Sequence, residues 1–575
     1  MTLKELRISK HLSQSKCAEI AKVSLRTYQN YENEDRLVGN TRYNDIYKSI
    51  EHFEDSTKQI NTSSINGGFF TNVKTGDALI PLCNLVSSYK KRNCFKHLHK
   101  FIDGNYSGRV CILYGLRRTG KTTLLFQMIN ELPLEKTAYI KVQTINTMSE
   151  LTKDLEKLYK YGYKYIFIDE ITLLEDFINT AAVLSDIYSM MGMKIVLSGT
   201  DSLSFAVADR DELYDRNIMI HTSFTPFKEY ANLLNIKSID SYIEYGGTLK
   251  KENMNFNDKN INSDEVSFRD DESTRKYIDT AISRNIQNAL KHNHFGSYFN
   301  ALQELYDKGE LTNAINRIVE DMNHRFLLSI VEREFKSHDL GSAKNLLLHD
   351  VPLSRARILD DVDTKKIVER LKTIISVKEK EELTVPISQA HVDTIKKYLR
   401  MLDLIYNCPY QVDNVGMQDH YVFTQPGMRY AIAKALVYSL MQDDYFKTVS
   451  EQDKNYIIQK ILNDVKGRML EDIVLLETVK STSSTKKAFQ YRFTEGGEFD
   501  MVIYDSETNT CSIYEIKHSD KVVKDQAKHL NDVEMCKIIE HLYGKITGKY
   551  ILYRGKPCKE NNVSYINVED YLMNL

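Results

Sequence analysis

The run Gly115-Leu116-Arg117-Arg118-Thr119-Gly120-Lys121-Thr122 constrains the fold of this chain more than any other stretch. Two glycines bracket four residues and are followed at once by a lysine and a hydroxyl, the full G-x-x-x-x-G-K-[ST] pattern. Before it, Arg109-Val110-Cys111-Ile112-Leu113-Tyr114 is short, apolar and β-prone. After it, Thr123-Leu124-Leu125-Phe126-Gln127-Met128-Ile129 has the apolar spacing of a helix. A strand, a glycine turn and a helix start place backbone N–H groups and a helix N-terminus around a polyphosphate. The pattern therefore predicts ATP and Mg²⁺ as cofactors. Gly115, Arg118, Thr119, Gly120, Thr122 and Thr123 are the expected nucleotide-lining residues, with Lys121 on the β- and γ-phosphates and Thr122 on Mg²⁺.

Downstream, Tyr165-Ile166-Phe167-Ile168-Asp169-Glu170 is an apolar strand ending in two carboxylates. Asp169 is expected to hold Mg²⁺ through water, and Glu170 to polarise the water that attacks the γ-phosphate. A third apolar strand, Lys194-Ile195-Val196-Leu197, ends in Ser198-Gly199-Thr200-Asp201. Ser198 at that tip either reads the γ-phosphate or belongs to an ordinary strand-end turn. Arg210 and Arg216 follow. Each is either an arginine finger offered to a neighbouring subunit, with Arg216 preferred, or a plain surface arginine.

At 575 residues the chain should hold three or more domains. Its 42% apolar and 27% charged content is that of an ordinary globular protein. A net charge of −2 gives no global case for nucleic acid, so any basic surface must be local. No apolar run approaches the roughly 18 residues needed to span a bilayer. The start, Met1-Thr2-Leu3-Lys4-Glu5-Leu6, carries no signal-peptide pattern. The eight cysteines contain no C-x-x-C pair, which predicts reduced thiols and no structural zinc. A cytoplasmic location with no membrane partner is the expectation.

The composition shifts along the chain suggest six segments. Residues 1–53 are a helical unit, and 54–76, rich in Ser, Thr, Asn and Gly, are a linker. Residues 77–250 alternate strands with helices and predict a parallel sheet covered on both faces. Residues 251–274 read as a polar loop, 275–450 as mostly helical, and 451–575 as a further α/β domain. Within the helical region, the stretch from Ile387 to Leu402 reads equally as part of a winged helix or as a plain helical hairpin.

In the first segment, Ser13 to Ser24 reads as a capped helix and a tight turn, with Ser24 capping a second helix, Leu25 to Glu32. This resembles the repressor-type helix-turn-helix family in Gln14, Ala18, Ile20-Ala21, Val23-Ser24 and Tyr31-Glu32-Asn33. The resemblance implies that the second helix enters the major groove of double-stranded DNA, with Ser24, Arg26, Thr27, Gln29 and Asn30 facing it. Nine Lys or Arg against six Asp or Glu among the first fifty residues agree with that. A protein-interaction module on the same fold is the alternative.

The C-terminal segment carries a second constellation. Gly497-Glu498-Phe499-Asp500-Met501-Val502-Ile503-Tyr504 enters one strand, and Cys511-Ser512-Ile513-Tyr514-Glu515-Ile516-Lys517 is another. Period two puts Glu515 and Lys517 on one face, and Asp500 lies a hairpin's distance away. Two carboxylates and a lysine can bind Mg²⁺ and activate water against a phosphodiester. Glu471, on a preceding helix, offers a third carboxylate. This resembles the restriction-endonuclease-like, PD-(D/E)xK nuclease superfamily. Asp500, Glu515 and Lys517 match its core, Glu471 its helical acid, and Gln526 the glutamine often found on the following helix. The resemblance implies Mg²⁺ or Mn²⁺ held by Glu471, Asp500 and Glu515; a retained fold without cleavage is the alternative.

The arrangement from about residue 80 to 560 resembles a prokaryotic AAA-type ATPase family with a nuclease-like C-terminal domain. The phosphate loop carries that resemblance, together with Phe224-Thr225-Pro226-Phe227-Lys228-Glu229-Tyr230, Tyr245-Gly246-Gly247 and Gly427-Met428-Arg429. The expected fold class is multidomain α/β: an N-terminal all-α helix-turn-helix, a P-loop α/β ATPase core, a helical and winged-helix middle, and a C-terminal restriction-endonuclease-like α/β domain. The expected function is an ATP-hydrolysing, DNA-binding homo-oligomer with a metal-dependent nuclease-like end, used in defence against foreign DNA or in mobile-element maintenance. A switch-type signalling NTPase with an inactive nuclease-like domain is the other reading.

Overall fold

The computed structural model describes residues 68–247 (apart from 175, 202, 203, 206, 207, 210 and 211), 299–336, 386–575 (apart from 443–445, 448 and 449), and shorter pieces within 3–51 and 274–290. The chain divides between Thr222 and Ser223 into two compact units.

The first unit is built on a sheet of six strands, β1 (Asn72–Thr75), β2 (Val110–Tyr114), β3 (Thr137–Lys141), β4 (Tyr165–Asp169), β5 (Lys194–Gly199) and β6 (Asn217–His221), in the order β1-β3-β4-β5-β2-β6. Every pairing is parallel except β1 with β3. Continuous apolar runs are what strands buried on both faces require. Alternate residues feed two separate cores: Ile112, Ile166, Ile168 and Leu197 pack on one side, Leu113, Phe167 and Val196 on the other.

Strand β1 lies inside the predicted linker, whose 54–76 boundary is thereby corrected. Its sequence is polar because it is an antiparallel edge strand, partly exposed along its length. The buried Asp154 carboxylate secures the approach to it, accepting from Phe70 N (3.0 Å), Thr71 N (2.8 Å) and Thr71 Oγ1 (2.7 Å). Residues 54–67 of that segment lie outside the described residues.

At the N-terminus the helices Leu25–Asn33 and Thr41–Glu51 pack with Leu3, Leu6, Cys17 and Ala18 around Tyr28, Tyr43, Ile46 and Ile50. Arg7 Nε and Glu32 Oε1 form an ion pair at 2.6 Å. Between Ala18 and Leu25 the chain turns tightly: Val23 N donates to Ala18 O at 2.9 Å, and Lys22 has φ +54°.

The second unit holds an eight-stranded sheet. Its strands are β7 (Ile405–Val412), β8 (Gly416–Phe423), β9 (Lys486–Arg492), β10 (Glu498–Asp505), β11 (Thr510–Ile516), β12 (Lys545–Tyr553), β13 (Cys558–Glu560) and β14 (Val563–Asn567), in the order β13-β14-β12-β11-β10-β9-β7-β8. A 31-residue helix, Glu451–Ser481, precedes an antiparallel meander β9-β10-β11. The helix Val533–Tyr543 then crosses to β12, which pairs parallel to β11.

Three sequence expectations change here. The segment after Ile387 is no helical hairpin: the helix Gln389–Met401, capped by Ser388, leads into the β7–β8 hairpin. The boundary at 450 does not separate two domains, because β7 joins β9 in parallel, with Tyr410 opposite Gln490. The helices Phe227–Leu234 and Ile239–Tyr245, placed by sequence at the end of the ATPase core, pack within the second compact unit. Phe227 N donates to Glu477 Oε1 at 2.7 Å and Ile239 N to Glu569 Oε1 at 3.0 Å. An amphipathic helix shows that it covers a core but not which core. The polar stretch 251–273 lies outside the described residues. All eight cysteines are unpaired. No helix among the described residues is long and apolar enough to cross a membrane.

Candidate functional site

The phosphate loop leaves β2 at Tyr114 and enters the helix Lys121–Ile129. Its curl needs three residues at positive φ: Gly115 (+144°), Arg118 (+63°) and Gly120 (+85°). Glycine takes such angles without steric cost, whereas an arginine there is uncommon and held by its surroundings. Lys121 is only 6% exposed, and its ammonium donates to the carbonyls of Gly115 (2.8 Å) and Leu116 (2.7 Å). Burial lowers its pKa to about 8, against the opposing pull of Glu170 and Asp169.

Three parallel strand tips form the floor. Lys141 on β3, Asp169 on β4 and Ser198 on β5 are direct register partners. Asp169 is buried and accepts from Lys141 Nζ (2.9 Å), Tyr139 OH (2.9 Å), Thr122 Oγ1 (3.1 Å) and Ser198 Oγ. Burial works against its charge, but Lys141 and these donors win, so its carboxyl sits below the usual range. Glu170, one residue on, turns into the left-handed region (φ +60°, ψ +38°), with Thr200 Oγ1 at 3.4 Å from its carboxylate. Backbone strain of this kind concentrates at functional positions.

The structure thus brings Lys121, Thr122, Asp169, Glu170 and Ser198 to adjoining positions at the loop and the strand tips. Thr119 behaves differently from its sequence reading: its side chain is fully buried, 2.9 Å from Leu116 O and 2.8 Å from Thr222 Oγ1, and serves the loop's interior. Thr123 is half-buried on the first helical turn. Arg216 does not join the loop; it is 46% exposed and ion-paired with Asp186 at 3.0 Å. Arg210 lies outside the described residues. Lys141 and Tyr139 were missed by sequence because they sit inside an ordinary-looking strand. Their only signal is a lysine at a strand tip beside the Asp169 strand.

Residues 107–231 match the AAA domain family. This stretch is an AAA-type P-loop ATPase domain. A curated relative, the uncharacterized protein MJ1544 of Methanocaldococcus jannaschii, is 28% identical over 177 residues, which is 30% of this chain and 39% of that protein. The chain therefore spans well under half the length of that relative. Among solved structures, the S. cerevisiae Hsp104–ADP complex is similar at TM-score 0.24 and 12% identity, covering 68% of this chain and 50% of that one. The Aeropyrum pernix ORC1 protein in complex with DNA is similar at TM-score 0.22 and 14% identity, covering 64% and 96%.

In the second unit, Asp500 and Glu515 stand on the adjacent strands β10 and β11, one residue beyond the Met501–Tyr514 pair. Both are buried. Lys517 Nζ bridges them, 3.1 Å from Asp500 Oδ2 and 2.6 Å from Glu515 Oε2. Ile516 N also donates to Asp500 Oδ2 at 2.7 Å. Asp500 is pressed upward by burial but held below the usual range by Lys517 and that N–H. Burial and the Asp500 charge raise Glu515. The two carboxylates overcome burial and raise Lys517.

Glu471 departs from its expected role. On the Glu451–Ser481 helix its carboxylate pairs with Arg468, which also lies 3.7 Å from Glu498. Burial and Asp500 push Glu471 up to about 8. Among the described residues no three His, Cys, Asp or Glu side chains are grouped to hold a metal ion. The predicted set of Glu471, Asp500 and Glu515 is therefore not assembled, because Arg468 engages the first member. Gln526 is corrected as well: it lies in a short 3₁₀ turn, Lys524–Ala527, where its Oε1 accepts from Val523 N (3.2 Å) and its Nε2 donates to Lys521 O (3.3 Å), both just ahead of that turn. His529 takes the neighbouring place, Nδ1 3.2 Å from Glu515 Oε1, and that contact raises its pKa.

The remaining resemblance segments meet in this unit as packing. Gly427 N donates to Gly246 O at 3.0 Å, and a Cβ on Gly427 would stand 2.9 Å from that same oxygen. Arg429 lies over Phe326 (3.6 Å) and reaches Asp472 at 2.5 Å, with His420 2.8 Å away on the other carboxylate oxygen. Despite burial, these partners hold Asp472 down at about 2. Asp472 adjoins Glu471, so this triad fixes the helix that carries it.

Of the expected DNA-facing residues, Thr27 is half-buried and Asn30 exposed on the Leu25–Asn33 helix. Ser24 lies outside the described residues, and the side chains of Arg26 and Gln29 do too.

Proposed function

We propose that this protein hydrolyses ATP at the phosphate loop and acts on double-stranded DNA through its N-terminal helices and its C-terminal α/β unit. The ATPase half rests on the convergence of Lys121, Thr122, Asp169 and Glu170 at adjoining strand tips. Lys121 leaves its carbonyl partners for phosphate oxygens. Thr122 and Asp169 are the hard oxygen donors that would hold Mg²⁺, which when bound neutralises phosphate charge. Glu170 orients and polarises the attacking water, and Ser198, on Asp169, stands at the tip where the γ-phosphate is read.

The observation that carries the nuclease half is the placement of Asp500, Glu515 and Lys517 on paired strands behind a helix bearing Glu471. The helix, meander, crossing helix and parallel fourth strand support a restriction-endonuclease-like domain. Asp500 and Glu515 fit a divalent cation: both are buried, and both already share one cationic group. Such an ion lowers the pKa of bound water and offsets phosphate charge. Lys517 would then turn to the attacking water or the phosphorane, and Glu471 could join only after releasing Arg468. Helical Cys17, Ala18 and Ile20 before a tight turn and the Leu25–Asn33 helix after it support a helix-turn-helix reading of the N-terminus, with Thr27 and Asn30 toward DNA. Arg216 is offered as the finger to a second copy in a homo-oligomer. Defence against foreign DNA is the use we favour.

One observation favours the second reading, a switch-type NTPase with an inactive nuclease-like end. Lys517, Arg468 and His529 already neutralise the acidic cluster. Incubating the protein with plasmid, ATP and Mg²⁺ or Mn²⁺ separates the two. Metal-dependent cutting supports the first, and ATP turnover with intact plasmid under every metal condition supports the second.

A further inference from the structure

The buried guanidinium of Arg92 lies ahead of β2 in sequence yet reaches two distant carbonyls. Its Nη1 donates to Thr119 O in the phosphate loop at 2.8 Å and to Thr222 O at 2.7 Å. Thr119 and Thr222 are fully buried, and their hydroxyls lie 2.8 Å apart. Thr222 is tied again to the end of β2, its N and Oγ1 lying 2.9 and 3.0 Å from Tyr114 O. Two carbonyls on one arginine nitrogen and a hydroxyl pair therefore lock the loop to Thr222. That residue ends the Met1–Thr222 segment of the first compact unit, and the chain passes at Ser223 into the second.

We propose that Arg92, Thr119 and Thr222 are positioning residues that make the phosphate loop and the 222–226 crossing one conformational element, so that nucleotide at the loop sets the state of the crossing. The proposal rests on the nucleotide reading of the loop. A buried carbonyl left without its donor is costly, so the loop cannot adjust around phosphates without carrying Thr222 or breaking these bonds. Reciprocity follows: whatever fixes the crossing must alter nucleotide affinity by the same factor.

Hydrogen exchange of the full-length protein, with and without ATPγS and Mg²⁺, tests this. Wild type should gain protection at both 115–122 and 219–226. Arg92→Met should still gain it at 115–122, bind nucleotide about five- to tenfold more weakly, and lose most of the response at 219–226. Arg92→Lys, which can still donate to both carbonyls, should restore part of that response, which a merely structural role would not predict. Should Arg92→Met fail to fold by thermal melting, Thr222→Val removes the hydroxyl at similar volume and should show the same uncoupling. An unchanged response at 219–226 in the substituted protein would overturn the proposal. No protection at 115–122 in wild type would instead overturn the nucleotide reading itself.

Discussion

The two acidic centres solve the same electrostatic problem in opposite ways. At the parallel sheet's tips Asp169 is buried yet kept ionised, with Lys141, Tyr139, Thr122 and Ser198 all donating to it. At the C-terminal centre the buried carboxylates share their cations instead: Glu515 and Glu471 are pushed up, and of these three only Asp500 is held down. Burying charge costs free energy unless it is paired and hydrogen-bonded. The first centre therefore presents one ionised carboxylate already backed by four donors. The second must exchange its own cations, Lys517 and Arg468, for whatever it binds.

That contrast is broken most directly at the first centre. Lys121→Ala should reduce ATP turnover by 10²-fold or more, about the loss seen when a key transition-state donor is removed, with the fold retained. Glu170→Gln should bind nucleotide normally and lose turnover by a comparable factor, since its neighbour Asp169 still holds the metal. Turnover and nucleotide affinity, measured on both variants, check this; wild-type turnover by Glu170→Gln would remove Glu170 from its role.

At the second centre Asp500→Ala and Lys517→Ala should each abolish plasmid cutting and leave ATP hydrolysis nearly unchanged. Cutting that survives both substitutions would place the nuclease site elsewhere. Arg429→Met should cost about 3–5 kcal/mol of stability, because it leaves Asp472 buried with only His420; denaturant unfolding reads this.

The same contrast explains what could be read from sequence. The phosphate loop is contiguous, and Asp169-Glu170 end a run of four apolar residues, so local pattern sufficed. Lys141 and Tyr139 act only through register between β3 and β4, which no local pattern records. Asp500, Glu515 and Lys517 were legible because a hairpin and period two bring them together. Their modifiers were less so: Arg468 pairs with Glu471 one turn along the same helix, but its reach to Glu498 and the arrival of His529 from a later 3₁₀ turn are tertiary. Pairing of β7 with β9 is likewise a long-range choice, invisible in two separately ordinary strands. Polar β1 looked like a linker because an edge strand need not be apolar. The Gly246, Gly427 and Arg429 motifs were noticed as resemblance, but their role in packing emerged only from contact.

The smallest effect expected concerns Glu477, a buried carboxyl away from both centres. It accepts from Phe227 N at 2.7 Å, and burial pushes its pKa from 4.5 up to about 8 despite that bond and one from Tyr242. A carboxyl whose folded pKa is raised favours the folded state when protonated. Its contribution is full below about pH 4.5 and is lost as pH rises toward 8. Glu477→Gln keeps an acceptor for Phe227 N and removes the titration, so it should flatten that part of the stability profile. Even one pKa unit corresponds to about 1.4 kcal/mol, and each 1 kcal/mol moves the melting temperature of a domain of about 150–250 residues by about 2–4 °C. Melting temperatures of wild type and Glu477→Gln between pH 5 and 8 should therefore diverge, the variant gaining as pH rises. Parallel curves would show that Glu477 is ionised in the folded state throughout, and that this unit, like the first, keeps its buried carboxylate charged.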